Sequence, residues 1–227
     1  MDTKKILTYL SDLESNNNRA WYHAHKEQLQ DANAEFLKLI EALISEIGKT
    51  DTSILNNSPK DLTFKLVRDT RFSYDKSPYN PTFRAHISSA GKLPIPVGYF
   101  ISIRPGNRSF LGGGLFADMF KDATDMIRTA IAEHGDEFER IITEPDFAKH
   151  FTVMGETLKN VPKGYPSDHT QAKFLKYKSW FLEYSVPDLL ISDPKRFLNE
   201  AVDKFVLMQP FNAFLNHALT GFQMPAR

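Results

Sequence analysis

One short stretch, from Arg68 to Tyr79, gathers residue types that often bind a charged ligand. Arg68 and Arg71 supply two guanidinium groups, whose planar sets of donors match the oxygens of a phosphate or a carboxylate. Lys76 adds a third positive charge. The stretch therefore predicts a pocket for a small anionic ligand that bears a phosphate or a carboxylate.

Acidic and aromatic residues of the same stretch have candidate roles beside these cations. Asp69 and Asp75 would orient the guanidinium groups, and Phe72 and Tyr79 would form walls on which a flat ring stacks. If a reaction takes place there, Asp69 or Asp75 is the candidate acid or base, and Lys76 is the candidate electrostatic stabiliser.

The same charges also permit a purely structural interpretation. Arg68 with Asp75, and Asp69 with Lys76, would then be ion pairs that hold a long loop over the rest of the protein. Both interpretations predict a loop, because Pro78 keeps the preceding residue extended. Functional residues are often carried on such loops. The sequence favours a ligand site only weakly.

Two further segments are weaker candidates. Trp21 follows three asparagines that suit a helix cap, and it is either a third wall of the pocket or a packed core residue. Gly112–Gly114 precede a helix expected to start near Asp118, where backbone N–H groups would suit a phosphate. Because Asp118 would repel an anion, we favour a bulged strand that another backbone approaches closely.

The composition excludes several kinds of site. With no cysteine, the chain has no disulfide, thiolate metal site or cysteine nucleophile. His23 and His25 would point roughly 200° apart on a helix, so they cannot share a metal. We expect neither a metal nor a cofactor. Without a signal peptide or a long apolar run, we expect a soluble cytoplasmic protein that does not span a membrane.

The charge is neutral overall but unevenly distributed along the chain. Residues 60–108 carry nine basic and three acidic side chains, a net charge of +6, and the whole chain sums to zero. A neutral protein is poorly suited to duplex DNA, which requires many phosphate contacts, whereas a local positive field suits a compact anion. The alternative function is a non-enzymatic interaction module for an acidic protein partner or single-stranded nucleic acid.

Hydrophobic periodicity predicts the elements that position these residues. Helices are predicted over 4–13, 19–47, 116–135 and 136–144, and strands over 63–67, 82–88, 97–103, 109–116 and 176–184. Two final helices follow Asp193, one carrying residues 197–208 and the other 211–219. This order predicts an α+β fold, with a mainly antiparallel sheet covered by segregated helices in a single domain of residues 1–227.

Several motifs together resemble a family of bacterial and fungal proteins known only as a conserved domain of unknown function. They are Asn16–Trp21, Arg68–Tyr79, Phe110–Leu115, Pro162–Tyr165 with Asp168 and His169, and Leu175–Ser179. The resemblance covers nearly the whole chain and implies one α+β domain with a shared site, but no activity. The chain departs from the family pattern at Asn80, where a lysine is expected, and near Asp118, where a proline is expected.

Overall fold

The structure is a computed structural model that describes residues 1–116 and 120–225. Its helices are α1 Thr3–Ser15, α2 Arg19–Ala24, α3 Lys26–Ile47, α4 Pro59–Leu62, α5 Lys121–Glu133, α6 Gly135–Ile142, α7 Pro145–His150, α8 Ala172–Leu175, α9 Asp188–Ile191 and α10 Pro194–Ala218. Its strands are β1 Phe83–Ile87, β2 Tyr99–Ile103, β3 Ser109–Leu115 and β4 Trp180–Val186. None of the helices in these described ranges is long and apolar enough to cross a membrane.

The four strands form one antiparallel sheet in the order β1-β2-β3-β4. Strands β1, β2 and β3 follow one another along the chain, and β4 joins the edge next to β3 after helices α5 to α8. The α+β class with a mainly antiparallel sheet is therefore confirmed.

The two faces of the sheet differ, because successive side chains of a strand point to opposite sides. On one face, Ala85, Ile101, Leu111 and Leu182 are fully buried. Helices α1, α3 and α10 cover this face; for example, Phe36 of α3 stacks on Phe83 with 5.2 Å between the ring centroids. On the opposite face, named the open face, the described residues form no such helical layer.

Glycine in β3 allows α10 to approach the sheet. A Cβ atom on Gly113 would lie 3.0 Å from Sδ of Met208 and 3.1 Å from Oδ1 of Asn212. The same Asn212 accepts a hydrogen bond from the N–H of Gly114 and donates one to the carbonyl of Gly98. The expected close approach of another backbone occurs at Gly112 and Gly114, where a Cβ atom would meet the carbonyl oxygens of Leu182 and Trp180. The expected bulge is absent, because β3 pairs with β4 residue for residue.

Two of the predicted helices have different boundaries in the structure. The helix predicted over 19–47 is two helices, since α2 ends at Ala24. His25 caps it: its ring stacks on Trp21 and its Nδ1 lies 2.8 Å from the Trp21 carbonyl oxygen. Asn18 caps α2, as its residue type indicates. The helix predicted from residue 116 begins instead at Lys121. Asp118 lies outside the described residues.

The two final helices predicted after Asp193 are one continuous helix, α10, with Pro210 inside it. Phe205 and Met208 before the proline, and Phe211 and Leu215 after it, are all fully buried. Their shared packing against the core outweighs the hydrogen bond that a proline removes from a helix.

The strands predicted at residues 63–67 and 176–184 also differ. Thr63 and Val67 form only isolated bridges, to Ala85 and Tyr79. The facing segment contains Pro78 and Pro81, which have no N–H, so a continuous ladder cannot form there. The strand around Trp180 is present as β4 but begins at Trp180, four residues later than predicted.

Candidate functional site

The segment from Arg68 to Tyr79 is an irregular loop with a paired base. The N–H of Arg68 donates to the carbonyl of Pro78 at 3.0 Å, and the N–H of Asn80 donates to the carbonyl of Leu66 at 2.7 Å. Asn17 holds Tyr79 through two hydrogen bonds between its side chain and the Tyr79 backbone. The base of the loop is therefore fixed at the edge of the open face.

The charged groups of this loop largely satisfy one another. Arg68 pairs with Asp75, and Arg71 pairs with Asp69 through a 2.7 Å contact. Lys76 donates to a backbone carbonyl at 3.0 Å and does not pair with Asp69, the partner that the structural interpretation gave it. Two of the three predicted cations therefore already have carboxylate partners.

Both carboxyl groups of the loop are held in the ionised form. Hydrogen bonds from the hydroxyl and N–H of Ser77, followed by Arg68, lower the pKa of Asp75. Hydrogen bonds from Arg71 lower the pKa of Asp69. A carboxylate with a lowered pKa is a weak base and donates no proton near neutral pH, which makes it a poor general acid.

The three aromatic rings predicted to wall this pocket do not come together. Phe72 is 96% exposed, whereas Tyr79 is buried and stacks on Tyr22 with 3.9 Å between centroids. Trp21 stacks on His25 and lines a separate cavity of about 340 Å³ that also contacts α1. Of these rings, only Tyr79 lines a cavity together with Arg68.

Two adjoining cavities lie beside this loop. The smaller one, the loop cavity, has a volume of about 390 Å³ and is lined by Glu14, Asn17, Arg68, Asp75, Ser77, Tyr79, Asn80, Pro81 and Arg104. The larger one, the sheet cavity, has a volume of about 540 Å³ and lies on the open face. They share Asn80 and Arg104, so Arg68 stands next to a larger space that the cluster Arg68–Tyr79 alone does not indicate.

Aromatic rings form the floor of the sheet cavity, with Phe100 of β2 at the centre. The rings of Phe110, Phe116, Phe64 and His86 lie 5.8, 5.6, 6.2 and 6.5 Å from it, measured between centroids. A floor of this kind suits the flat face of an aromatic ligand, because offset aromatic stacking adds to the gain from apolar burial.

Glycine at position 112 makes this floor possible. A Cβ atom there would lie 2.8 Å from the ring of Phe116, which folds back over β3 and stacks on Phe181 of β4. Any larger residue would displace that ring. The glycines of β3 therefore serve packing on both faces, Gly113 toward α10 and Gly112 toward the cavity.

Arg84 and Lys92 are the two cations of the sheet cavity without a carboxylate partner among the described residues, and of these two Arg84 is partly buried while Lys92 is exposed. Arg84 is the second residue of β1, and its guanidinium carbon is 5.5 Å from the centroid of Phe64. No carboxylate among the described residues forms an ion pair with it, and its Nε is buried without a hydrogen-bond partner. Burial lowers the pKa of Arg84 below its ordinary value, because the guanidinium has partly lost contact with water and no carboxylate of the described residues offsets this loss.

Other cations surround Arg84. Arg104 and Arg108 both pair with Glu14 of α1, and Nε of Arg104 is buried without a partner. Lys92 donates to the carbonyl of Thr63 at 3.2 Å. With Arg84, the cavity has four cationic side chains. The acidic side chains beside them are Glu183 and Glu14, the partner of Arg104 and Arg108, so the cavity is positively charged overall.

Besides the arginines, two titratable groups in the sheet cavity, His86 and Glu183, have shifted pKa values. Burial lowers the pKa of His86 to about 4, so this imidazole is neutral at pH 7. Partial desolvation raises the pKa of Glu183, which stands at the β4 end of the cavity. No group of three or more His, Cys, Asp or Glu residues in the described part of the chain could hold a metal ion.

The sequence contained two signals for this cavity. The positive segment 60–108 includes Arg84, Lys92, Arg104 and Arg108, and residues 82–88 alternate polar and apolar side chains. Alternation of this kind places Arg84 and His86 on one face of a strand. That Phe116 and Glu183 line this cavity cannot be predicted from the sequence, because it depends on how β3 and β4 pair.

A family model described as conserved hypothetical protein (DUF2461) matches residues 5–214. The chain therefore belongs to this family, and the resemblance to a family of unknown function is confirmed at that level. No curated protein and no solved structure matches the chain.

Proposed function

We propose that this member of the DUF2461 family binds a small anionic compound with a flat ring in the sheet cavity. The observation that carries the proposal is the unpaired guanidinium of Arg84 above an aromatic floor. A partly buried charge without a partner costs free energy, and a ligand anion would supply that partner. The phosphate or carboxylate would bind Arg84, and the ring would lie on Phe100.

The sequence-predicted residues take unequal parts in this proposal. Arg68 and Tyr79 border the loop cavity, so they would contact a ligand that extends past Asn80. Arg71, Phe72 and Lys76 line neither of the two adjoining cavities, and Trp21 belongs to the separate one. We therefore assign the primary anion contact to Arg84 and an outer contact to Arg68.

The test measures binding of phenyl phosphate and benzoate by calorimetry to the wild type, Arg84→Met and Arg71→Met. Methionine keeps the apolar stem of arginine and removes its charge. We expect Arg84→Met to weaken binding by about tenfold or more, the value of one hydrogen bond to a charged group. Arg71→Met is the matched control, because Arg71 is exposed and already paired with Asp69.

Either of two results would contradict the assignment. Equal binding by wild type and Arg84→Met would remove Arg84 from the site. Loss of binding in Arg71→Met would instead place the anion on the loop that the sequence indicated. Thermal unfolding of each variant identifies any loss that comes from a damaged fold.

A second candidate function rests on the tip of the loop. Phe72 and Tyr74 are both almost completely exposed, and the guanidinium of Arg71 lies 5.8 Å from the Phe72 centroid. Exposed rings beside a cation are the arrangement on which bases of single-stranded nucleic acid stack. An acidic protein partner is the other form of this candidate.

A further inference from the structure

The sheet cavity has opposite charges at its two ends. Arg84 lies on β1 at one edge of the sheet, and Glu183 lies on β4 at the other edge. Adjacent strands are about 4.8 Å apart, so three strand spacings separate the two backbones by roughly 14 Å. The cavity is therefore cationic at one end and carries a single carboxylate at the other.

Glu183, like Arg84, has no ion-pair partner among the described residues, but its side chain is exposed to solvent, whereas Arg84 is partly buried. Its carboxylate has no ion pair among the described residues, although nearby Tyr184 and Glu200 pair with each other at 2.7 Å. Its pKa is raised by desolvation alone, with no hydrogen bond or neighbouring charge contributing. The residue thus offers two acceptor oxygens that the protein itself does not use.

The register of the strands places apolar surface between these two charged groups. His86 pairs with Phe100, Phe100 with Gly112, and Gly112 with Glu183 across the sheet. Between the ends lie the ring of Phe100 and the ring of Phe116 over Gly112. This middle part offers ring faces and few hydrogen-bonding groups.

We infer that the ligand is a flat ring compound with an anionic group at one end and N–H donors at the other. Arg84 binds the anion, the rings of Phe100 and Phe116 contact the flat middle, and Glu183 accepts the N–H groups. A nucleotide-like molecule has this distribution of charge, ring and donors. The inference rests on the proposed function, since it assigns the far end of the same ligand.

The experiment compares guanosine 5′-monophosphate with inosine 5′-monophosphate, which lacks the 2-amino group, and uses phenyl phosphate as the ligand without N–H donors. Binding is measured for the wild type, Glu183→Leu and the control Glu41→Leu, whose side chain is exposed on α3. We expect the wild type and the control to prefer the guanosine compound by about tenfold, the value of one charge-assisted hydrogen bond. In Glu183→Leu the preference should disappear, with unchanged affinity for phenyl phosphate.

The outcomes separate this inference from the proposed function. If phenyl phosphate binds through Arg84 but neither nucleotide is preferred, or if Glu183→Leu keeps the preference, the role of Glu183 is wrong and the proposed function stands. If none of the three compounds binds to the wild type, the proposed function is wrong and the inference falls with it.

Discussion

The arginines of this protein differ in what surrounds their charge. Arg68 and Arg71 meet carboxylates of their own loop, and Arg104 and Arg108 share Glu14. Pairs of this kind, at the surface, contribute little to stability. Arg84 is partly removed from solvent and has no carboxylate partner among the described residues, and uncompensated charge of that sort is more common at functional sites than elsewhere.

Glu14 connects α1 to the sheet cavity, and its pair with two arginines makes stability depend on pH. A hydrogen bond from Arg108, assisted by Arg104, holds the pKa of Glu14 below its ordinary value. A carboxyl group whose pKa is lower in the folded than in the unfolded state stabilises the fold above its unfolded pKa of about 4.3. That contribution is lost as the pH falls through the folded-state pKa.

We therefore expect Glu14→Gln to flatten the decline of the unfolding free energy between about pH 5 and pH 3. Urea unfolding at several pH values measures this slope. Other carboxylates with lowered pKa values, such as Asp75, contribute to the slope of the wild type, so only the difference between the two proteins reports on Glu14. Glu41→Gln, on the exposed surface of α3, is the control. Identical slopes for wild type and Glu14→Gln would show that the pair with Arg104 and Arg108 does not stabilise the fold.

At the scale of elements, α10 is joined to the middle of the sheet by one polar side chain. Asn212 is 4% exposed, accepts from the N–H of Gly114 at 2.8 Å and donates to the carbonyl of Gly98 at 3.1 Å. These two backbone groups belong to β3 and to the residue before β2. The helix therefore fixes the spacing of the strands that carry the floor of the sheet cavity.

Asn212→Ala should lower the unfolding free energy by about 2 to 4 kcal/mol, because it leaves two buried backbone groups without partners. Urea unfolding measures the loss. Asn199→Ala, at an exposed position on the same helix, serves as the control and should change stability by less than about 0.5 kcal/mol. If the two variants are equally stable, the Asn212 hydrogen bonds contribute little to holding α10 on the sheet.

The elements that the sequence predicted well are those with strong local patterns. The run 97–103 and the glycine-interrupted run 109–116 indicate strands, and the stripe of α3 is clear because Phe36, Ile40 and Leu43 recur at helical spacing. The prediction of two helices around Pro210 and of one unbroken helix through His25 is wrong. Long-range packing, which a local pattern does not contain, decides whether a helix continues. The site follows the same rule: the cluster Arg68–Tyr79 is local in sequence, whereas the cavity depends on how β1, β2 and β3 pair and on β4, which joins the sheet after helices α5 to α8.

Across the whole molecule, the positive charge is confined to one part of the chain. Residues 60–108 have a net charge of +6 and the remaining residues a net charge of −6. This segment supplies the loop cations and the four cations of the sheet cavity. A neutral protein with such a local field attracts a compact anion at short range and has little attraction for an extended polyanion.

The dependence of binding on salt follows from this distribution and separates the two candidate functions. A ligand with one anionic group in the sheet cavity displaces few counterions, so its affinity should fall only slightly as salt rises. A short labelled single-stranded oligonucleotide should bind weakly, with a salt dependence no steeper than that of phenyl phosphate. Fluorescence anisotropy of the oligonucleotide and calorimetry of phenyl phosphate, over the same salt series, measure both slopes. A steep oligonucleotide slope, together with weaker binding by the Phe72→Ser, Tyr74→Ser double variant, would favour the interaction module, because cations would then neutralise several phosphates while bases stack on those two rings.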